Sequence, residues 1–269
     1  MDITDTHAHG LARSDLRGLR DRCRNARDGA FRKVRETEWI RTGKRARRML
    51  EEVDRGYATT AWARWAATDR HGTYASWLLP NTEGDALAVC CVTLNIPIGA
   101  GAVIRQWPWM IIPAHAIARG HQRLRAPDWA EVQSELRVAA LHASAVLLVS
   151  QALGLSQFAI PAIHGLLIGD VEDEVLRART FIVPPLSQRW GSVLDAWLRF
   201  EHGGCPAWTE AIEQIALDRE TAELQPALVA LAGELDRFEF LRREHEPGPD
   251  VVGDLWEAAR QQADRDPSF

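Results

Sequence analysis

The sequence predicts an α+β protein in which a central antiparallel sheet lies between N-terminal and C-terminal helical regions. Three observations indicate this class. Amphipathic segments rich in Arg, Ala and Leu come first, short apolar runs separated by turn residues fill the middle, and helical patterns return toward the C-terminus. Because the strand patterns are grouped rather than alternating with helices, we do not expect a parallel βαβ architecture.

The first region, residues 1–71, is predicted to be helical and basic. Residues 14–55 fit two or three amphipathic helices, and residues 57–70 are expected to continue as helix or turn. Residues 1–50 carry 14 Lys and Arg against 7 Asp and Glu. This charge allows three interpretations: a surface for a phosphate-bearing partner, attraction to an acidic part of the same fold or dimer, or solvated helix faces.

The middle region, residues 72–200, is predicted to hold the sheet and the candidate site. A meander of three strands is followed by a helix from Pro113, since proline is tolerated in a first helical turn. A second helix is expected from Asp128 to Gly154, with an apolar stripe that is buried. Two further strands and a helix complete the region. The predicted strands span residues 74–79, 86–96, 102–112, 158–168 and 175–183.

The third region, residues 201–269, is predicted to be helical and acidic. It carries 16 Asp and Glu against 6 Lys and Arg. Helices are expected over residues 208–223 and 226–243, and a short one around Trp256. A protein partner could bind through this acidic region.

Composition and missing motifs narrow the classes of function. The sequence contains no Walker loop, GxGxxG, GxSxG, HExxH or CxxC pattern, so no cofactor is expected. No apolar run reaches the ~18 residues of a spanning helix, and we expect a cytoplasmic protein that does not enter a membrane. The cysteines are interpreted as core thiols rather than disulfides or a zinc site; they are Cys23, Cys90, Cys91 and Cys205.

The strongest candidate site lies on the helix that begins at Pro113. His115, Arg119 and Arg123 are four residues apart, so their side chains share one helix face. Histidine moves a proton near neutral pH, and arginine stabilises the phosphorane formed when a phosphodiester is cleaved. His121 and Arg125 repeat the pairing on another face. The alternative interpretation is a packing histidine with arginines in surface ion pairs.

The run IIPAHAIARGHQRLRAPDWAEVQSEL, within residues 105–136, resembles the RelE, barnase and colicin superfamily of metal-independent, toxin-type ribonucleases. The resemblance implies that His115, Arg119 and Arg123 lie at the site and that a later strand adds His164 and Arg177 or Arg179. It implies transesterification of RNA, in which the 2′-hydroxyl is the nucleophile. The predicted roles are catalytic for His115, Arg119, Arg123 and His164, and substrate-binding for His121, Arg125 and Arg179.

Three other interpretations stay open. A non-enzymatic binding, regulatory or toxin-neutralising protein is the main alternative. The segment Asp5-Thr6-His7-Ala8-His9 is similar to the first metal ligands of amidohydrolase barrels, which makes Asp5, His7 and His9 an alternative metal site. The spacing of Arg137 and His142 matches the Arg-x4-His pattern of HEPN-type ribonucleases, although His142 is better explained as a packing residue.

Overall fold

The computed structural model describes residues 3–35, 39–202 and 224–242, and it confirms the predicted α+β class. The helices are α1 (Asp5–Arg35), α2 (Gly43–Tyr57), α3 (Ala114–Leu124), α4 (Trp129–Leu153), α5 (Gln188–His202) and α6 (Leu224–Leu235). The strands are β1 (Ala63–Thr68), β2 (Gly72–Glu83), β3 (Ala86–Pro97), β4 (Val103–Pro113), β5 (Gln157–Pro161), β6 (Leu166–Glu172) and β7 (Val175–Ile182). A 3-10 turn over Glu239–Leu241 follows α6.

The seven strands form one sheet in the order β1-β2-β3-β4-β7-β6-β5. Strands β1 to β4 form one antiparallel meander and β5 to β7 form another. The two meanders meet where β4 pairs with β7 in parallel, through Met110 with Leu176 and Ile111 with Arg177. The sheet is therefore mixed rather than purely antiparallel. Parallel strands need a crossover connection. Between β4 and β7 this connection begins with α3 and α4 and continues through β5 and β6.

Two strand predictions are wrong. Residues 57–70, expected as helix or turn, contain β1, and all six residues of β1 pair with β2. The apolar run 158–168, expected as one strand, is divided between β5 and β6 by a tight turn in which the Ala162 N–H donates to the Gly165 carbonyl at 2.9 Å. An apolar run does not show where a hairpin turns, and here the turn residues themselves are mostly apolar.

Helix α4 has the ends that the sequence predicts. Asp128 occupies the N-cap position, and Gly154 ends the helix in the left-handed region at φ 63°. Among the described helices it is the one long and apolar enough to cross a membrane. It packs against four strands of the sheet, with Val132 and Leu136 buried. The predicted helices over 208–223 and around Trp256 lie outside the described residues.

Two apolar clusters cover opposite faces of β2. Leu78 belongs to the cluster beneath α3 and α4, whereas its neighbours Trp77 and Leu79 belong to the cluster beneath α2. Successive strand residues point to opposite faces, so this alternation is the expected one. Helix α1 contributes to both clusters and also packs on α3. The α1–α3 contact places the N-terminal helix beside the candidate site helix.

The bulge in β6 gives a first prediction. A Cβ atom on Gly169 would lie 2.0 Å from the Arg177 carbonyl oxygen and 2.7 Å from a Phe158 ring carbon. We expect Gly169→Ala to lower the free energy of unfolding by at least ~1–3 kcal/mol, because backbone and ring must move. The measurement is urea denaturation. The control is Gly29→Ala in α1, where a Cβ meets nothing within 4 Å; it should stabilise by roughly 0.5–1 kcal/mol. Equal stabilities would contradict this account.

Candidate functional site

Helix α3 follows β4 directly, as predicted, with Pro113 in the N-cap position at φ −63°. His115 lies exposed in its first turn. Arg119 is partly exposed and donates to the Gln122 side-chain oxygen at 2.5 Å. It also forms an ion pair with Asp5 of α1 at 3.2 Å. Arg119 therefore joins α1 to α3.

Arg123 lies at the other end of α3 from His115. Eight residues of helix rise about 12 Å, so the His115 and Arg123 side chains lie at different regions of the surface. The Arg123 guanidinium donates to the Phe181 carbonyl oxygen near the end of β7. Burial and the nearby charge of Arg119 hold the pKa of Arg123 below its ordinary value.

A pocket of 860 Å³ lies between α3, α4, α5 and one end of the β5–β7 meander. Arg123 and His164 both line it, so the structure brings these two predicted residues together. Apolar side chains from the segment after β7 and from α5 form part of its wall. The other lining residues are Leu124, Glu131, Ser134, Glu135, Val138, Pro161, Ala162, Ile163, Gly165, Val183, Pro184, Leu194 and Leu198. His115 and Arg119 are not among the lining residues.

His164 and Glu135 form a close pair in this pocket. The Glu135 carboxylate accepts from His164 Nδ1 at 2.6 Å and from the His164 backbone N–H at 2.9 Å. The Glu135 side chain is 4 % exposed, whereas the His164 ring is 70 % exposed. Because a carboxylate oxygen accepts, Nδ1 carries the hydrogen, and in the neutral ring Nε2 is the free basic nitrogen. The buried carboxylate thus fixes the orientation and tautomer of an accessible imidazole.

Glu135 and Glu131 are site residues that sequence reasoning missed. Glu135 falls between Val132 and Leu136, inside the apolar stripe that the sequence predicts to be buried. An acidic residue at a buried position needs a partner, because burying an unpaired charge is costly. An acidic residue inside a buried apolar stripe therefore indicates that Glu135 has a partner, but the sequence does not identify His164 as that partner.

His121, predicted to bind substrate, is fully buried between α3 and α1. Its Nδ1 bonds the Ala126 carbonyl oxygen at 2.7 Å, and its Nε2 bonds Asp15 at 2.8 Å. Both partners are acceptors, so both ring nitrogens carry hydrogens and the ring is an imidazolium. Burial opposes this charge, but the hydrogen bonds to Asp15 and to the carbonyl outweigh it, and the pKa of His121 is raised above 6.5.

The other predicted binding residues have defined positions. Arg125 is the left-handed C-cap of α3 at φ 55°. Arg179 pairs with Asp170 across β6 and β7, and Arg177 pairs with Glu172 at 2.9 Å. None of these arginines lines the 860 Å³ pocket.

The amidohydrolase alternative is wrong in its structural premise. Asp5, His7 and His9 lie in the first turns of α1 rather than on a strand, and the described strands form a single open sheet. At 100° per residue, His7 and His9 point to nearly opposite sides of the helix. His9 instead approaches Asp5 at 3.9 Å. Among the described residues, no group of three or more His, Cys, Asp or Glu side chains is arranged to hold a metal ion.

Arg137 and His142 lie apart on α4. Arg137 is exposed, whereas His142 is buried and packs edge-on against Trp197 with ring centres 5.2 Å apart. His142 Nδ1 also contacts the Val138 carbonyl at 3.0 Å. His142 therefore has the packing surroundings that the sequence analysis favoured.

No protein-family model matches the chain, and neither a curated protein nor a solved structure is significantly similar to it. The site must therefore be interpreted from its own geometry. Its pocket combines an accessible imidazole oriented by a buried carboxylate with a guanidinium that carries a fixed positive charge.

Proposed function

We propose that the chain is a metal-independent ribonuclease-like protein of the toxin type, and that its chemistry takes place in the pocket of His164, Glu135 and Arg123. The observation that carries the proposal is the 2.6 Å bond between Glu135 and His164 Nδ1 in the pocket that Arg123 also lines. A carboxylate on Nδ1 that leaves Nε2 free is the arrangement of an oriented general base. A cytoplasmic location belongs to the same proposal.

The proposed reaction is an internal transesterification of RNA. His164 Nε2 accepts the proton of a 2′-hydroxyl, and the 2′-oxygen forms a bond to phosphorus. The bond from phosphorus to the 5′-oxygen breaks, and the imidazolium returns its proton to that oxygen. The products are a 2′,3′-cyclic phosphate and a 5′-hydroxyl. Arg123 stabilises the negative charge on the phosphorane.

This proposal moves the centre of the site along α3. The sequence analysis placed it on His115, Arg119 and Arg123, whereas the pocket contains Arg123 and His164. Arg119 is engaged with Asp5 and Gln122. The two arginines therefore provide a matched pair for locating the chemistry.

The test is cleavage of a labelled single-stranded RNA by the purified chain in excess EDTA. We expect cyclic-phosphate products from wild type and no cleavage of a fully 2′-O-methylated RNA, which lacks the nucleophile. Arg123→Ala should lower the cleavage rate by about 10-fold or more, because phosphorane stabilisation is lost. Arg119→Ala should retain most of the wild-type cleavage rate. Loss of activity in Arg119→Ala alone would place the reaction on the exposed face of α3. Absence of cleavage by wild type would overturn the proposal.

A binding protein is the second candidate, and two exposed apolar residues favour it. Ile163 and Leu198 line the same pocket and are 53 % and 42 % exposed. Apolar side chains beside the Glu135–His164 pair could bind a peptide that carries an apolar side chain next to a polar one. This candidate expects a protein to co-purify with wild type and with His164→Ala, and to be lost from Ile163→Asp.

A further inference from the structure

A strongly basic surface covers the exposed side of α2, far along the sheet from the candidate pocket. Helix α2 packs on β2 through Ala46, Met49, Leu50, Val53 and Tyr57. Its opposite side carries Lys44, Arg45, Arg47 and Arg48, all exposed. We call these four residues the basic α2 surface.

Two hollows flank this surface. The first, of 620 Å³, lies between α2 and the turn joining β1 to β2 and is lined by Lys44, Arg47, Arg48 and Arg55. The second, of 440 Å³, lies toward α1 and is lined by Lys33, Lys44, Arg45 and Arg48. Lys44 and Arg48 border both, so one continuous cationic surface connects them.

Nearby carboxylates neutralise a part of this charge. Glu52 is paired with Lys33 at 2.7 Å and with Arg48 at 3.5 Å. Asp69 accepts the backbone N–H groups of His71 and Gly72, and Glu51 also lines the first hollow. No ion pair within the described part of the chain involves Lys44, Arg45 or Arg47.

The position of these cations in α2 opposes helix stability. The first turn of α2 contains no acidic residue, and the cations lie near the positive end of the helix dipole. Thr42 caps the helix by accepting the Arg45 backbone N–H at 3.3 Å, so the unfavourable charges are not needed for capping. An arrangement that costs stability indicates a role in binding an anion.

The exposed side chain of Trp39 indicates which class of anion this surface binds. It is 61 % exposed and lies three residues before the Thr42 cap, within about 11 Å along the chain. An exposed indole offers a stacking face for a base, and neighbouring cations contact the phosphates. An acidic peptide would use the cations but would not need a planar partner.

We propose that the basic α2 surface and Trp39 bind a single-stranded nucleic acid, with backbone phosphates in the two hollows and a base stacked on Trp39. This inference goes beyond the proposed cleavage, since binding here requires no chemistry in the pocket. The two proposals can therefore fail separately.

The test uses the full chain and a 12-nucleotide, 5′-fluorescein-labelled, fully 2′-O-methylated RNA, whose binding is followed by anisotropy from 50 to 300 mM NaCl. The triple variant Lys44→Ala/Arg45→Ala/Arg47→Ala should bind at least about 10-fold more weakly at low salt. Its slope of log affinity against log salt should fall by about 2, since each lost phosphate contact on a single strand contributes roughly 0.7. Trp39→Ala should weaken binding about 5-fold or more with the slope unchanged.

The matched control is Arg13→Ala/Arg17→Ala/Arg24→Ala, which removes the same charge from exposed positions on α1. It should bind almost as wild type does. Equal losses in the two triple variants would overturn the inference, because net charge alone would then explain binding. Displacement of the RNA by poly-glutamate at equal charge concentration would also overturn it and assign the surface to an acidic protein.

Discussion

Replacing His121 with alanine is expected to lower the free energy of unfolding by about 3–5 kcal/mol, which is the usual cost of removing one partner from a buried ion pair. The His121 ring is fully buried, and its Asp15 partner is 17 % exposed. Without the imidazolium, both the Asp15 carboxylate and the Ala126 carbonyl lose a donor. The measurement is urea denaturation at pH 6, with an unchanged far-UV spectrum showing that the variant is folded before urea is added.

The control for this variant is His115→Ala on the same helix. His115 is exposed, so its replacement should change stability by no more than about 0.5 kcal/mol. A similar small change in His121→Ala would show that the contact between α1 and α3 does not depend on the His121–Asp15 pair.

The same ion pair makes stability depend on pH. Because the pKa of His121 is raised in the folded state, its contribution is fully present below the unfolded value of about 6.5. Above 6.5 the unfolded chain releases the proton while the folded chain keeps it, so stability falls as pH rises through the folded pKa. The stability difference between wild type and His121→Ala should therefore shrink from pH 6 toward pH 9. A difference that grows with pH would contradict the imidazolium assignment.

Local patterns predicted many elements because each pattern has a local cause. Gly154 ends α4 in the left-handed conformation that glycine favours, Asp128 occupies the N-cap position of α4, and Pro113 marks the start of α3. The turn within 162–165 and the parallel β4–β7 pair were not predictable in this way, because they depend on contacts with distant strands. Sequence periodicity reports which face a residue occupies, but it does not report what lies opposite.

The candidate site shows the same division between local and distant information. The spacing of His115, Arg119 and Arg123 correctly places them on α3, yet the ends of that helix face different surroundings. His164 and Glu135 are 29 residues apart and meet because the β5–β6 turn lies over α4. His121 lies six residues after His115 on the same helix but is buried by α1, which is more than 100 residues away.

Replacing His164 with alanine is expected to lower the rate of RNA cleavage by about 10²–10⁴-fold, the contribution of a positioned general base. The ring is 70 % exposed, so the fold should tolerate its loss. Added imidazole should restore part of the activity of His164→Ala, since the pocket then accommodates a free base. His115→Ala should cleave at nearly the wild-type rate. The measurement is the single-turnover rate on the labelled RNA in EDTA.

Replacing Glu135 tests whether this residue only positions His164 or also takes part directly in the reaction. In the proposed mechanism the Glu135 carboxylate acts only through His164. Glu135→Gln keeps the side-chain shape but removes the charge that fixes the Nδ1–H tautomer, so we expect a large part of the His164→Ala loss. Imidazole ¹⁵N shifts should show a mixed tautomer in this variant. The double variant should be no slower than His164→Ala alone, because residues that act as a unit are not additive. Additive losses would show that Glu135 contacts the RNA independently and that the pair is not an oriented base.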